Sequence, residues 1–226
     1  PGDYNSRFLL LVDGARVNDA VYDQALLGTE ALVDIDMVQR IEFVPGPGSA
    51  VYGSNAVFGV INVVTKEGPD LKGARVALAA GSHGERRLRA SWGWHGQNGA
   101  DLVLSASVFG RDGDDLYFPE FDTPEQNGGV ARGLDYDRAR NFLLKASYGG
   151  LTFSASHVHR TKGVPTGSFG AVFNTPNRVL DTQSVASLGY TRELTPGLSL
   201  SAQALWGKAD YLGVGDYPGL EAPRVS

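Results

Sequence analysis

The sequence has no cysteine among its 226 residues. Disulfide bonds, thiol catalysis and thiolate metal sites are therefore excluded. Charged residues are also scarce at 20%, and the net charge of −5 disfavours nucleic acid as a partner. No apolar run approaches the roughly 18 residues that a transmembrane helix requires. A mean hydropathy of −0.16 fits a soluble protein, and it fits equally well membrane-spanning strands in which apolar and polar residues alternate.

Glycine, in contrast, is abundant, with 30 residues, and it is concentrated in the stretch "PGPGSAVYGSNAVFGVINVVTK" at residues 45–66. A phosphate-binding loop would need a lysine after its second glycine, but Ser54 stands there. Val51 likewise breaks the dinucleotide-binding pattern, and the residues that follow predict a strand instead of a long helix. A nucleotide site is therefore disfavoured, and the glycines are expected to shape tight turns and close backbone approaches.

The first 68 residues predict a small α+β unit with a mixed sheet. "RFLLLV" forms an apolar strand that ends at the turn pair Asp13-Gly14. "DIDMVQRIEFV" predicts a short helical turn, capped by Asp34 or Asp36, that leads into a second strand. "GVINVVTK" is rich in β-branched residues and predicts a third, buried strand.

After residue 68 the sequence alternates between apolar and polar residues. "GARVALAAGS", "ERRLRASWGW" and "ADLVLSASVFG" open this pattern, which predicts about seven strands of roughly ten residues, long enough to cross a bilayer when tilted. One face is Ala, Leu, Val and Phe, and the other is Ser, Gly, Thr, Arg and Gln, which suits a wet or plugged lumen. Aromatic residues near strand ends suggest a girdle at the membrane interface, or else the edge of a soluble core: Trp92, Trp94, Tyr148, Tyr190 and Trp206.

The connections between these strands alternate between short and long. "GQNGA", "YGGL" and "ELTPGLS" are tight turns, whereas residues 112–137 and 163–182 form long connections, and only "GSHGE" is short where a long loop is expected. Such alternation is typical of outer-membrane barrels, so we predict antiparallel transmembrane β-barrel strands. The alternative left open is a soluble or surface-exposed β-rich binding or adhesion module without energised transport.

Residues 7–66 resemble the second half of the plug domain of TonB-dependent outer-membrane receptors. The resemblance rests on "LLLVDGARVND", then "VQRIEFV", then "GPGSAVYGSNAVFGVINVVTK", in the family's order and nearly without gaps. Pro45 replaces the arginine that usually precedes Gly-Pro, and Phe58 replaces the first glycine of the family's Gly-Gly-Val-Ile-Asn. The arginine resembles one side of charge pairs that hold the plug to the barrel wall, so this link is in question here.

The resemblance implies a C-terminal half of a plug at residues 1–68, called the plug region below. It implies the first strands of a 22-stranded barrel at residues 69–226, called the strand region. Because the sequence opens with "PGDYNSRF" and stops at "EAPRVS", we expect a segment of a longer protein. The implied function is uptake of a scarce ligand at the bacterial outer membrane, with a ferric siderophore favoured and cobalamin or haem as alternatives. The implied partners are TonB, through an upstream segment, and outer-membrane lipid, with no enzyme activity and no cofactor.

Ligand contacts are expected from the plug hairpin that follows Asp13-Gly14 and from the long outer loops, because aromatic and arginine side chains suit catechol or carboxylate ligands. On the plug these candidates are Asn18, Tyr22 and Gln24. On the loops they are Tyr117, Phe118, Phe121, Arg132, Phe169, Phe173 and Arg178. By resemblance, Arg40 and Glu42 are expected at the contact between plug and barrel.

Other chemistry is weakly supported by the sequence. His157 and His159 share one face of a strand, but no third metal ligand follows, so a surface role is expected. The acids of residues 113–115 and Asp122 lack the spacing of a calcium loop and are expected to be solvated. No spacing of Ser, His and Asp predicts a hydrolase, and no metal site is predicted.

Overall fold

The structure is a computed structural model that describes residues 5–20, 22–48, 53–219 and the backbone of 224–225. Residues 49–52, including Val51 in the middle of the glycine-rich stretch, lie outside the described residues. The strands are β1 (Phe8–Val12), β2 (Ala15–Arg16), β3 (Val38–Pro45), β4 (Gly59–Thr65), β5 (Gly73–Ala80), β6 (Arg86–His95), β7 (Asp101–Arg111), β8 (Leu116–Tyr117), β9 (Val130–Ala131), β10 (Asp137–Tyr148), β11 (Leu151–Gly163), β12 (Arg178–Thr195), β13 (Leu198–Gly215) and β14 (Arg224–Val225).

The plug region forms the predicted mixed sheet. Its strand order is β2-β1-β4-β3, with β1 parallel to β4 and the other neighbours antiparallel. The Asp13-Gly14 pair forms the turn between β1 and β2, where both residues have positive φ, 48° and 78°. A 3₁₀ turn at Ile35–Met37 precedes β3, and its N-cap is Asp34, whose side chain accepts the Asp36 N–H.

The strand region forms one antiparallel sheet in the order β14-β13-β12-β11-β10-β7-β6-β5. A single helical turn, α1 (Gly68–Leu71), connects the plug region to β5. The predicted division after residue 68 falls inside α1 and stays a prediction. The sheet contains the seven predicted long strands and the two-residue β14, and within the described residues it does not close into a barrel.

The last two long strands exceed the predicted length. β12 and β13 have 18 residues each, instead of roughly ten, and they remain paired from Arg178↔Val214 to Thr195↔Leu198. Their additional residues lie mainly at the end of the long loops, where polar segments such as Asp181–Ser184 continue the ladder. Apolar alternation marks only the apolar part of a strand, so the sequence pattern underestimated the strand length.

The two faces of the large sheet follow the predicted alternation. Large apolar side chains such as Leu78, Leu188 and Trp206 are exposed on the outward face. The inward face is buried where the plug region covers it, at Val103 of β7, Leu143 of β10 and Val158 of β11. These three residues join Leu10, Val17, Leu32, Val33 and Met37 of the plug region in one hydrophobic cluster. The plug region therefore packs directly on the inner face of the sheet.

The ends of the sheet differ in their connections. At one end, called the turn end, the strands are joined by short turns around residues 96–100, 149–150 and 196–197. At the other, called the loop end, two long loops span residues 112–136 and 164–177, and the first of them contains β8 and β9. Among the described residues, no helix is long and apolar enough to cross a membrane.

Candidate functional site

The contact between the plug region and the strand region is the most elaborate polar interface in the described part of the chain. Among the described residues, three bases of the strand region form close ion pairs across it: Lys145 with Asp13 at 3.1 Å, Arg160 with Glu30 at 3.0 Å, and Arg89 with Asp34 at 2.9 Å. In every pair the plug region contributes the acid and the strand region contributes the base. This uniform polarity follows from the inner face of the strands, where arginine and lysine occupy alternating positions.

The Arg89 contact is the most buried of the three. The side chains of Arg89 and Asp34 are 8% and 6% exposed, and Arg89 also pairs with Asp36. Burial raises the pKa of Asp34, but hydrogen bonds from the Ser107 hydroxyl, the Asp36 N–H and Arg89 outweigh it and hold the pKa below the ordinary carboxyl value. The Arg89 Nε has no hydrogen-bond partner in the described residues, so part of the guanidinium remains unsatisfied.

The Lys145 contact fastens the ends of the two parallel plug strands. Asp13 follows β1, and its carboxylate accepts the backbone N–H of Thr65 at 2.8 Å and the Thr65 hydroxyl at 2.6 Å. Lys145 Nζ donates to the same Thr65 hydroxyl oxygen at 2.6 Å. One lysine of β10 therefore holds the ends of β1 and β4 together at the turn end of the sheet.

The Arg160 contact lies nearer the loop end and contains three carboxylates. Arg160 of β11 pairs with Glu30, with Asp137 of β10 at 3.2 Å and with Asp181 of β12 at 3.6 Å. Thr29 of the plug region donates to Asp137 at 2.7 Å. Two side-chain amides complete the interface by donating to plug backbone carbonyls: Asn141 to Ala31 at 2.7 Å and Gln183 to Val17 at 2.9 Å.

Arg40 and Glu42, expected at the contact between plug and barrel, lie on β3, the edge strand of the plug sheet. They pair with each other at 2.8 Å, and Glu42 also accepts from Asn62 at 2.8 Å. Both side chains are exposed, and within the described residues neither forms an ion pair or a hydrogen bond with the seven long strands. The hydrogen bonds from Asn62 and Arg40 lower the pKa of Glu42. A contact with another part of a barrel wall stays a prediction.

The predicted ligand residues of the plug lie toward the loop end, in two different environments. Asn18 is occupied by the plug backbone, since it accepts from Leu10 N–H and donates to the carbonyls of Phe8 and Asp23. Tyr22 and Gln24 instead line a cavity of about 30 Å³ between the plug region and strands β11–β13. The Tyr22 ring meets the Tyr211 ring edge to face, with centroids 6.4 Å apart.

Three of the predicted loop residues form an aromatic cluster that joins the two long loops. Phe121 of the first loop stacks on Phe173 of the second, with centroids 4.2 Å apart and planes 8° apart. Phe118 approaches Phe173 edge to face at 5.7 Å. Phe173 is only 6% exposed, so its ring is committed to loop packing. A ligand contact of these rings stays a prediction.

The other predicted loop residues are dispersed. Tyr117 is exposed and donates to Asp122 at 2.8 Å, and this hydrogen bond raises the pKa of the Tyr117 phenol. Arg132 is exposed in the first long loop, and Arg178 is half-buried at the start of β12. Phe169 is 89% exposed and has a φ of 55°, a strained conformation for a residue with a side chain.

The remaining polar candidates have local partners. His157 and His159 face outward and contact Ser184 and Thr182, each at 2.8 Å. Within the described residues, no group of three or more His, Cys, Asp or Glu side chains could hold a metal ion. Lys145 and Arg160 were not predicted as interface residues. Each is a charged residue at an inward position of a strand with alternating apolar and polar residues, and this pattern could have indicated a contact with the plug region.

The comparisons with known proteins agree with this architecture. Residues 2–60 match the family model described as the TonB-dependent receptor plug domain. The vitamin B12 transporter BtuB of Vibrio vulnificus is 34% identical over 119 residues, which are 53% of this chain and 19% of that protein. The chain therefore spans about a fifth of the length of this curated relative.

Solved structures resemble the chain over nearly its whole length. The FrpB iron transporter of Neisseria meningitidis superimposes with a TM-score of 0.66 at 20% identity, covering 92% of this chain and 34% of that one. A mutant ferric enterobactin receptor of Pseudomonas aeruginosa, in complex with enterobactin, gives 0.65 at 18% identity, covering 98% and 37%. At these identities the likeness concerns the fold alone. The chain therefore has a TonB-dependent receptor plug domain that matches over residues 2–60, followed by antiparallel strands with the fold of these receptors' barrels.

Proposed function

We propose that the protein to which this chain belongs is an outer-membrane receptor that imports a scarce ligand with energy delivered by TonB. The single observation that carries this proposal is the polar interface between the plug region and the sheet. A plug that covers the inner face closes the lumen, and ion pairs and amide hydrogen bonds can be exchanged for water during a rearrangement. The plug is therefore both a barrier and a movable part, and the protein is a transporter and not an enzyme.

The favoured ligand class is a ferric siderophore. The small cavity lined by Tyr22 and Gln24 is also lined by Asp181 and Tyr211, which lie in the parts of β12 and β13 nearer the loop end. The two long loops carry exposed aromatic and cationic side chains, including Phe169, Tyr117 and Arg132, which suit catechol or carboxylate groups around a metal. Cobalamin is the second candidate, because the relative that is 34% identical is a vitamin B12 transporter. TonB would act through a segment upstream of this chain.

Equilibrium binding of the full-length receptor to ferric siderophores, cobalamin and haem tests the ligand class. We expect one ferric siderophore to bind, and Tyr22→Ala and Phe169→Ala to weaken it. The matched control is Phe142→Ala, which removes an exposed ring from the outward face of β10 and leaves the lumen unchanged. Binding of cobalamin or haem alone would overturn the siderophore assignment. Equal effects of the Phe142 and Tyr22 substitutions would overturn the assigned surface.

A further inference from the structure

The outward face of β7, β10 and β11 has a cationic patch near the loop end. Directly opposed residues of antiparallel strands lie on the same face, and the register opposes Arg140 to Val108 and His159. The next row toward the loops opposes Arg138 to Gly110 and Thr161. Arg138 and Arg140 are exposed, whereas Asp137 and Ala139, which alternate with them along β10, are buried on the plug side. The five side chains called the outer-end patch are Val108, Arg138, Arg140, His159 and Thr161.

The outer-end patch lines a groove in which the Arg140 guanidinium carries a positive charge without a counter-charge among the described residues. These five residues line a groove of about 480 Å³, and no carboxylate lines it within the described residues. The Arg140 guanidinium has no ion pair or hydrogen bond to any described residue. Arg138 pairs with Asp112 at 2.7 Å and also donates to the backbone carbonyls of Arg111 and Asp137. Its stem lies across Gly110, where an added Cβ would be 3.4 Å from the Arg138 Cδ.

The height of the patch on the sheet places it at a boundary of the apolar band. Tyr148 marks the turn end of the outward face, and Arg140 lies eight residues away along β10. At a rise of about 3.4 Å per residue, eight residues extend about 27 Å along the strand, or about 20 Å along the membrane normal at a tilt of 35–45°. The apolar band of outer-membrane barrels is about 25 Å tall. Arg138, ten residues from Tyr148, lies about 26 Å away along the normal, at the edge of the band, and Arg140 lies about 5 Å inside it, so both long side chains can place their guanidinium groups among the lipid head groups.

We propose that the outer-end patch binds the phosphorylated head group of a lipid in the outer leaflet. Arginine guanidinium groups donate paired hydrogen bonds to phosphate oxygens, and Arg140 has all of its donors available. Exposed Val108 and Leu88 lie beside the charged row and offer an apolar surface to the acyl chains. This inference rests on the proposed location in the outer membrane, but it concerns a surface that faces away from the lumen.

Lipid binding to the full-length receptor, purified in a phosphate-free detergent, tests this inference. The probes are bisphosphorylated lipid A, the same lipid after removal of both phosphates, and inorganic phosphate, with bound lipid measured by native mass spectrometry. We expect the combined variant Arg138→Gln and Arg140→Gln to bind bisphosphorylated lipid A at least roughly tenfold more weakly than the wild type. The dephosphorylated lipid should not distinguish the two proteins. Thr161→Glu, which adds a negative charge to the groove, should weaken binding of the phosphorylated lipid as well.

The matched control is Arg192→Gln, which removes an exposed arginine near the turn end of β12. It should bind lipid as the wild type does, and heat-modifiable gel migration identifies folded preparations of every variant. Unchanged lipid binding by the folded double variant, an equal loss in Arg192→Gln, or displacement of the lipid by inorganic phosphate would overturn the inference. The patch variants should retain siderophore binding. A wild-type receptor that binds lipid but no ligand of the panel would contradict the proposed function and leave this inference intact.

Discussion

Replacing Arg89 with methionine should release the part of the plug that contains Asp34. The substitution keeps an unbranched apolar stem but leaves the Asp34 carboxylate, only 6% exposed, without its nearest counter-charge. Removing one partner of a buried ion pair typically costs about 3–5 kcal/mol, because the remaining charge stays desolvated. The hydroxyl of Ser107 and the N–H of Asp36 still solvate Asp34, so the lower end of this range is the expectation.

Hydrogen exchange of the full-length receptor, measured by mass spectrometry, reports this local opening. A loss of about 3 kcal/mol corresponds to roughly 150-fold faster exchange in the segment around Ile35–Met37, if exchange proceeds through undocking of that segment. The matched control is Arg87→Met, on the same strand and face. Its guanidinium lies 4.0 Å from Asp34, and its side chain is 26% exposed. Such a distant contact should contribute about 1 kcal/mol or less.

The effect should also depend on pH in a defined direction. In the wild type the pKa of Asp34 is lowered, so its contribution to stability is present above the ordinary carboxyl pKa of 3.8 and is lost as the pH falls through the lowered value. Without Arg89, the pKa of Asp34 loses one of the interactions that lower it, so protonation relieves the unpaired charge at a higher pH than in the wild type. The ratio of variant to wild-type exchange should therefore shrink between pH 7 and pH 4. Unchanged exchange in the variant, an equal effect of Arg87→Met, or a ratio that does not vary with pH would refute the reasoning.

Three further predictions concern the loops, the turns and the open sheet. Phe173→Ala should separate the two long loops, with a loss of local stability of about 3–5 kcal/mol, and should speed proteolysis in both loops. Phe169→Ala should not speed proteolysis, and faster cleavage of only one loop in Phe173→Ala would contradict the prediction. Gly150→Ala should impair assembly far more than Gly197→Ala. Both glycines have positive φ, but only at Gly150 would an added Cβ meet a backbone oxygen, that of Thr191 at 2.2 Å. Equal folded fractions of the two variants on heat-modifiability gels would exclude this explanation. The isolated 226-residue chain should not insert stably in a bilayer, because its sheet has open edges; a monomeric, protease-resistant inserted form would show otherwise.

Much of the fold could be predicted because alternation is a local property of the sequence. Leu88, Trp92 and Leu104 were assigned to the apolar outward face from the period of two alone, and the structure exposes all three there. The mixed plug sheet was likewise predicted from short apolar runs and the Asp13-Gly14 turn. Strand length was less predictable: β12 continues through Asp181, Thr182 and Gln183, where ladder pairing and not apolar alternation maintains the strand.

The candidate site was less accessible to sequence reasoning because its contacts span large sequence separations. Lys145 meets Asp13, and Arg160 meets Glu30, only after the plug region packs on the sheet. Arg40 and Glu42 satisfied the motif but pair with each other on an edge strand. Pro45 stands where an arginine was expected. It is the last residue of β3 and pairs with Gly59, so β3 and β4 stay paired to the end of β3 without an arginine side chain.

Uptake of a labelled ferric siderophore by cells that carry the full-length receptor, with and without TonB, tests the central claim most directly. The siderophore is the one that binds best in the equilibrium panel. The account predicts accumulation in cells that contain TonB, and binding without accumulation in cells that lack it. Equal accumulation in both strains would contradict a plug that is opened by TonB.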